Sequence, residues 1–449
     1  MFLLQSIPQV DKFISNEKFD NLSKPLILKI AKEVTQTLRE NILNKSVEVF
    51  SEDELVQSVL KKYEDLTSAS LQKVINATGV IVHTNLGRSL IDEKIFDKVK
   101  NIATGYNNLE YDLEKGKRGE RYSHISKVIC SLLDCEDVLI VNNNASAVFL
   151  VLNTFAKKKE VVVSRGELVE IGGSFRIPEV MKSSGAKLVE VGATNKTHLS
   201  DYENAISKKT SMLMKVHKSN YSIEGFSSEV EFKDLVKLAR ERDLLDYYDM
   251  GSGHLVDLPY GLDSYEPSVL EYMKEKPSLL SFSGDKLLGS AQAGIIVGKK
   301  EYIEKLKKNQ LLRMLRVDKL TLAILEANIT SILLGEIDEI PTLRMLFAST
   351  DELRANAQLL ENEVKDISQA QIIETKTVIG GGTTPNRTIP SIALAIKIND
   401  YKPNKIERLF RKRKIIGRIE DERFLLDFRT IANSEIASIV KAVKEIANV

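Results

Sequence analysis

LLSFSGDKLLGSAQAGIIVGKK, residues 279–300, sets two apolar runs on either side of a short polar turn rich in small residues. LLSFSG and AGIIVGK are near-continuously apolar rather than alternating, as expected of strands covered on both faces by helices. The same texture recurs outward from this point in DVLIVNN (137–143), EVVVSRG (160–166), KLVEVGA (187–193), SMLMKVH (211–217) and LLDYYDMG (244–251). Longer helix-like stretches separate these runs. The alternation predicts an α/β fold, a doubly wound and mostly parallel central sheet flanked by helices.

The chain has 449 residues, more than one hydrophobic core usually serves, so two or three domains are expected. Residues 1–70 read as a small helical domain, with Ile27, Ile30, Val34, Leu38 and Ile42 recurring near the helical period. Ser51 and Glu54 form a capping box ahead of LVQSVL. Residues 71–318 carry the strand pattern. Beyond them, residues 319–449 read as a smaller α/β domain, opening with the helical TLAILEANITSILLG and continuing to the strands SIALAIKI and FLLDFRT. TVIGGGTTP, residues 377–385, is expected to be a loop.

Composition excludes several classes. Hydrophobic residues at 43% and charged residues at 28% describe a globular protein rather than a disordered or fibrous one. The opening MFLLQSIPQVDKF lacks a basic n-region and a small-residue cleavage site, and no apolar run approaches the roughly 20 residues of a membrane span. A cytoplasmic protein without membrane association is expected. A net charge of +1 gives no global signal for nucleic acid, so RNA contacts would have to be local. Cys130 and Cys135 have no second pair to complete a metal site; they read as core or helix-face thiols, and no metal is expected.

In open parallel sheets ligands sit beyond the carboxyl ends of the strands. After DVLIVNN come Asn144, Ala145 and Ser146 at a helix start, where free N–H groups suit a phosphate and where Asn and Ser are also ordinary caps. Asp249 ends LLDYYD beside a flexible glycine turn. Such an acid can keep the pyridinium nitrogen of pyridoxal phosphate protonated, although a turn-capping Asp has the same signature. Lys286 follows Ser281, Ser283 and Gly284 at the next strand end. It is placed for a Schiff base: small residues let the backbone approach, hydroxyls bind phosphate, and the lysine can later shuttle a Cα proton.

The blocks INATGVIVHTNLGRSL, KGKRGERYSH, VNNNASAV, VVVSRGELVEIGGSFRIPEVM, VGATNKTHLSDYE, KVHKSNYSIEGF, DMGSGHLVDL, SFSGDKLLGSAQAGIIVGKK and LLRMLRVDK resemble bacterial selenocysteine synthases, the L-seryl-tRNA(Sec) selenium transferases. They run from about residue 71 to 320. The resemblance implies the aspartate aminotransferase-like fold, type I among pyridoxal phosphate enzymes, with Lys286 as the cofactor lysine and Asp249 as its pyridine partner. It also implies the reaction: seryl-tRNA(Sec) loses its β-hydroxyl to give an enzyme-bound aminoacrylyl-tRNA, and selenium from selenophosphate adds to the β-carbon.

Selenophosphate is a polyanion and favours arginine over lysine. Arg88, at the end of HTNLGR, and Arg313 and Arg316, three residues apart, match arginines that the family associates with the selenium donor. Arg118 and Arg121 in RGER either join them or contact tRNA from a neighbouring subunit, since family sites form between subunits. His83, His217 and His254 lie in matching blocks, where structural and ring-packing roles compete with acid–base work. By resemblance the N-terminal module contacts tRNA, through Lys24, Lys29, Lys32 and Arg39. Its charge does not advertise this: nine Lys/Arg against eleven Asp/Glu leave −2 over residues 1–70. RKRKIIGR, residues 411–418, could offer another phosphate-contacting surface but reads more simply as an exposed helix end. The family's members are homo-oligomers built from dimers, typically decamers.

Two other functions fit parts of the pattern. A lyase acting with pyridoxal phosphate on a small amino acid or amino sugar would share the core but lack the helical N-terminal module. A non-catalytic tRNA-binding or scaffolding protein would have no need for both Asp249 and Lys286.

Overall fold

The computed structural model describes residues 2–171, 175–223 and 225–448. Residues 172–174 and Glu224, which fall within two of the family blocks, lie outside the described residues. The chain divides into two compact units, Met1–Lys73 and Val74–Val449.

In the first unit, helices α1 (Lys24–Leu43) and α2 (Glu52–Thr67) bury Ile27, Ile30, Ala31, Leu55, Val56 and Val59 together with Phe13 and Phe19. Val34 and Leu38 pack partly against this cluster, so the apolar stripe of α1 is the buried face. The capping box forms: Glu54 N donates to Ser51 Oγ at 3.2 Å and Ser51 N to Glu54 Oε2 at 2.9 Å. Two otherwise orphan N–H groups are thereby satisfied, and α2 starts there.

The second unit is organised around seven strands: β1 (Asp137–Val141), β2 (Glu160–Ser164), β3 (Lys187–Val191), β4 (Thr210–Val216), β5 (Leu245–Gly251), β6 (Leu279–Ser283) and β7 (Gly294–Gly298). They lie in the order β1-β7-β6-β5-β4-β2-β3. β3, β2, β4, β5 and β6 pair in parallel, while β7 runs antiparallel to both β6 and β1. Every position of β1, β5, β6 and β7 is buried, which is why their sequences are apolar without alternation. Each buried Val, Ile or Leu contributes about 1.5–3 kcal/mol of transfer free energy, so a charged residue in β6 would break the sheet at its centre. Helix α3 (Asn144–Phe155), following β1, sends Val148, Val151 and Leu152 into the same core.

Helix α4 (Lys319–Leu333), which the sequence pattern assigns to a C-terminal domain, buries Leu322, Leu325 and Ile329 in the core of the central sheet. The boundary expected at residue 318 therefore cuts through a packed layer. Beyond it, β8 (Gln369–Thr377), β9 (Ile389–Lys397), β10 (Arg418–Glu420) and β11 (Arg423–Asp427) form an antiparallel sheet ordered β8-β9-β11-β10. Helices α5 (Thr350–Val364), α6 (Pro403–Lys412) and α7 (Ile436–Ala447) cover it with Leu353, Leu360, Ile406, Phe410, Ile439 and Val443. Ile75 and Ala77 join this second core, and Ile75–Asn76 pairs with Ile415–Ile416.

RKRKIIGR does not form one basic surface. Arg411 and Lys412 end α6, whereas Arg418 turns inward and donates to the Thr78 carbonyl, the buried Asp427 and Thr375 Oγ1. Cys130 and Cys135 are free, half-buried thiols whose sulfurs lie 3.2 Å apart. Among the described residues no helix is long and apolar enough to cross a membrane, and no three His, Cys, Asp or Glu gather as metal ligands.

Candidate active site

Lys286 stands in the tight turn between β6 and β7. Gly284 N donates to the Ala293 carbonyl at 2.9 Å, and a Cβ on Gly284 would stand 2.4 Å from the Ala291 carbonyl oxygen, so this position needs glycine. The turn leaves Lys286 only 8% exposed. Burial is the largest influence on its amine and lowers its pKa; Asp249 and Asp285 oppose the shift and Arg88 adds to it. A lysine biased toward the neutral amine is the nucleophile that a carbonyl cofactor requires.

Asp249 closes β5, 5% exposed. Asn144, at the first turn of α3, donates from Nδ2 to Asp249 Oδ1 at 2.7 Å, tying the helix start to the strand-end acid. The N-cap is Asn143, one residue earlier than the sequence suggested: its Oδ1 accepts from Ser146 N at 2.8 Å. That bond uses the Ser146 N–H. Burial pushes the Asp249 carboxyl up to about 6, against the lowering pull of the Asn144 hydrogen bond and of Lys286.

Buried Asn144 Oδ1, His217 Nδ1 and Ser219 Oγ have no hydrogen-bonding partner among the described residues. His217 follows β4, and its N–H donates to the Asp249 carbonyl at 2.9 Å. Burial foremost, with Lys286 and Lys215 adding, drops its ring to about 4, so it is a neutral imidazole at ordinary pH. Native proteins seldom leave buried polar atoms unpaired unless a ligand completes them. A helix N-terminus, a strand-end acid, a neutral buried histidine and a desolvated lysine together fit pyridoxal phosphate, an anion at one end and a basic ring nitrogen at the other.

The remaining predicted residues divide into groups. Ser283 is 5% exposed at the end of β6, beside Lys286, whereas Ser281 is fully buried with its Oγ 2.6 Å from Tyr247 Oη. The Ser281 hydroxyl is thus engaged within the sheet. Arg88 belongs with the lysine: Nη1 donates to Asp285 Oδ2 at 2.6 Å, and neighbouring Ser89 Oγ donates to the Lys286 carbonyl at 2.7 Å.

Arg118, Arg121, Arg313 and Arg316 line a different cavity of about 390 Å³, to which Lys307 and Lys308 add charge. Glu110 anchors it, accepting from Arg121 Nε and Nη2 at 3.0 and 2.7 Å and from Arg118 at 3.1 Å, with Arg316 at 3.8 Å. The hydrogen bond from Arg121 leads the effects that hold the Glu110 carboxyl below its ordinary range. Arg88 does not line this cavity.

His83 Nδ1 accepts from Asn85 N at 3.3 Å and so caps its own turn. Both ring nitrogens of buried His254 lie against carbonyl oxygens, Val256 at 2.7 Å and Glu266 at 2.6 Å, a structural placement. In the N-terminal unit, Lys24, Lys29, Lys32 and Arg39 are all exposed on α1. Sequence reasoning missed Asn143, Ser219, Asp285, Glu110 and Glu266. Asp285, adjoining Lys286, and Asn143, adjoining Asn144, carried a local signal; the others meet their partners through long-range packing.

This fold and this site define a pyridoxal phosphate enzyme of the aminotransferase-like class. A family model described as L-seryl-tRNA selenium transferase matches residues 74–432. L-seryl-tRNA(Sec) selenium transferase of Sulfurimonas denitrificans is 77% identical over all of both chains, and that of Aliarcobacter butzleri is 63% identical over 99% of each. The chain belongs to the L-seryl-tRNA(Sec) selenium transferase family. Among solved structures, D-glucosaminate-6-phosphate ammonia-lyase superposes with a TM-score of 0.60 at 20% identity, covering 86% of this chain and 98% of that one. That likeness concerns the fold; the full-length relatives favour the transferase over the small-molecule lyase.

Proposed function

We propose that the chain converts seryl-tRNA(Sec) to selenocysteinyl-tRNA(Sec), with selenophosphate as donor, at the site built around Lys286. The observation that carries this assignment is the desolvated Lys286 amine beside Asp249, with Asn144, His217 and Ser219 atoms near that acid that no described residue satisfies.

Lys286 would hold the cofactor covalently, Asp249 its ring nitrogen, and the start of α3 with Ser283 its phosphate. When bound, pyridoxal phosphate supplies an electron sink for the seryl Cα. The protein does the rest. Lys286 Nζ takes the Cα proton, and the basicity that burial lowers eases the later release of that proton. Asn144 keeps the Asp249 carboxylate ionised and aimed. Arg88, held by Asp285, is a fixed cation beside the lysine where an anionic donor would arrive.

Arg313 and Arg316, with Arg118 and Arg121, form a second cationic site, proposed for selenophosphate or tRNA phosphates. Its separation from Arg88 supports a dimer-based homo-oligomer in which one subunit's arginines complete the other's site. The exposed apolar Leu90, Phe96, Tyr106, Leu113 and Met314 support the same reading, because they neighbour both groups in sequence and favour coverage by a second copy. The exposed cations of α1 are proposed to meet tRNA, and the cytoplasm is the proposed location.

The test is the visible absorption of cofactor-loaded protein before and after seryl-tRNA(Sec), with free serine as control. A band that shifts only with the charged tRNA supports the assignment. A shift with free serine or an amino sugar would replace it with the lyase reading.

A further inference from the structure

A buried acid that the scheme above does not use joins two loops near Lys286. Glu266 is 1% exposed. Its Oε2 accepts the Thr384 N–H at 2.7 Å, and Ser252 Oγ donates to its Oε1. Ser252 belongs to the turn that leaves Asp249, and Thr384 to the glycine-rich loop of the C-terminal layer, where Gly380 bridges Val82. The turn is secured again by His254, whose Nε2 lies 2.6 Å from the Glu266 carbonyl.

A tie between two loops needs only an acceptor, and a neutral amide would serve at lower desolvation cost. Glu266 instead brings a carboxyl that burial pushes up to about 7, with Lys286 as the charged group within its electrostatic reach. The same interaction raises the Lys286 amine and partly offsets its burial. Other titratable groups face this region: His254 on the turn, His217, and the Lys215–Glu167 pair, the latter three side chains lining the same cavity as Glu266.

We propose that Glu266 is a positioning residue of this active site: it locks the turn behind Asp249 to the Thr384 loop and holds negative charge toward Lys286. The assignment rests on Lys286 being the cofactor lysine. Through that lysine, Glu266 joins Asp249 and Asp285 in opposing the effect of burial on the amine that is to capture pyridoxal phosphate and exchange the Cα proton.

The test follows capture of pyridoxal phosphate by apo protein as a function of pH, read as the appearance of the visible band, in wild type, Glu266→Gln, Ser252→Ala and Lys286→Ala. Removing an anion lowers the pKa of a nearby amine, so Glu266→Gln should move the capture midpoint to lower pH, a smaller step than loss of Asp249 or Asp285 would give because those acids act on the amine more strongly. Its kcat should fall about tenfold with KM for the charged tRNA little changed. Ser252→Ala, which keeps the carboxyl but removes one donor, should shift the midpoint the same way by less, and decides the matter if Glu266→Gln does not fold. A folded Glu266→Gln protein with the wild-type midpoint overturns the proposal and leaves the lysine assignment standing. A Lys286→Ala protein that still developed the wild-type band would overturn both.

Discussion

The Arg88 guanidinium donates to the Asp285 carboxylate at 2.6 Å, one residue before the lysine on which the site depends. Arg88 adopts a left-handed backbone with φ of 63°, a conformation that costs a non-glycine residue about 1–2 kcal/mol. The HTNLGR turn thus accepts strain that brings a cation to Asp285 and, through Ser89, a hydrogen bond to the Lys286 backbone.

Replacing Arg88 with alanine should lower kcat/KM about a hundredfold, the scale of losing one preorganised charge donor at a reacting centre. Because Arg88 lowers the Lys286 pKa, its removal should also raise the pH midpoint of cofactor capture, opposite to the Glu266→Gln shift. The Arg88 side chain is 39% exposed but that of Asp285 only 9%, so the substitution leaves a largely buried carboxylate without its donor and should also cost about 1–3 kcal/mol of stability. Spectroscopic titration and steady-state kinetics would show it; an unchanged midpoint would remove Arg88 from the lysine's surroundings.

Asn144→Ala should weaken cofactor retention about 10- to 100-fold, the cost of a lost hydrogen bond to a charged group. Its bond lowers the Asp249 pKa, so without it the acid rises above about 6 and stays protonated to higher pH. An acid that must be ionised to pair with the ring nitrogen loses function as pH falls. The acid limb of cofactor binding should therefore move to higher pH in Asn144→Ala and disappear in Asp249→Asn. Fluorescence or absorbance titration of the apo proteins across the acid range measures it.

Lys215 and Glu167 form a buried pair at 3.2 Å, with side chains 8% and 3% exposed, and Glu167 Oε2 also accepts the Val216 N–H. Glu167→Ala would leave the buried ammonium with only the half-exposed Glu229 carboxylate at 3.6 Å and the Val230 carbonyl at 2.9 Å, and should cost about 3 kcal/mol, the low end for removing one partner of a buried pair. Urea denaturation monitored by circular dichroism would reveal it. A loss below about 1 kcal/mol would mean that Glu229 and the Val230 carbonyl already suffice to hold the ammonium.

Arg316→Ala should raise KM for selenophosphate about tenfold or more without altering the cofactor band, since Arg316 lines the arginine cavity and not the lysine turn. Arg118→Ala, whose side chain is 79% exposed, should have a much smaller effect. Equal effects from both would argue for a diffuse basic surface instead of a built anion site.

The seven strands of the central sheet were visible as apolar runs; in all but the half-exposed edge strand β3, burial on both faces removes alternation and leaves an unmistakable pattern. β8 was not: QAQIIETKT is an edge strand, half-exposed and polar, and its sequence resembles a loop or helix. The strand-end positions of Asp249 and Lys286 were legible for the same reason as the strands themselves. Glu266 and Ser219 were not, since nothing local marks a residue that reaches the site only after distant segments pack.

The sequence by itself determined the strands, the strand-end acid and lysine, the capped helices and, through its motifs, the family. These depend on periodicity and short-range chemistry, which a linear text preserves. Only the tertiary structure decided that Asn143 rather than Asn144 caps α3, that Ser281 is engaged by Tyr247, that Arg418 faces inward and that the arginines separate into two groups. Apart from the Asn143 cap, which reaches only three residues, each of these turns on which polar group meets which once separate segments have packed. A buried polar atom takes whatever partner packing brings to it, and that partner is written nowhere near it in the sequence.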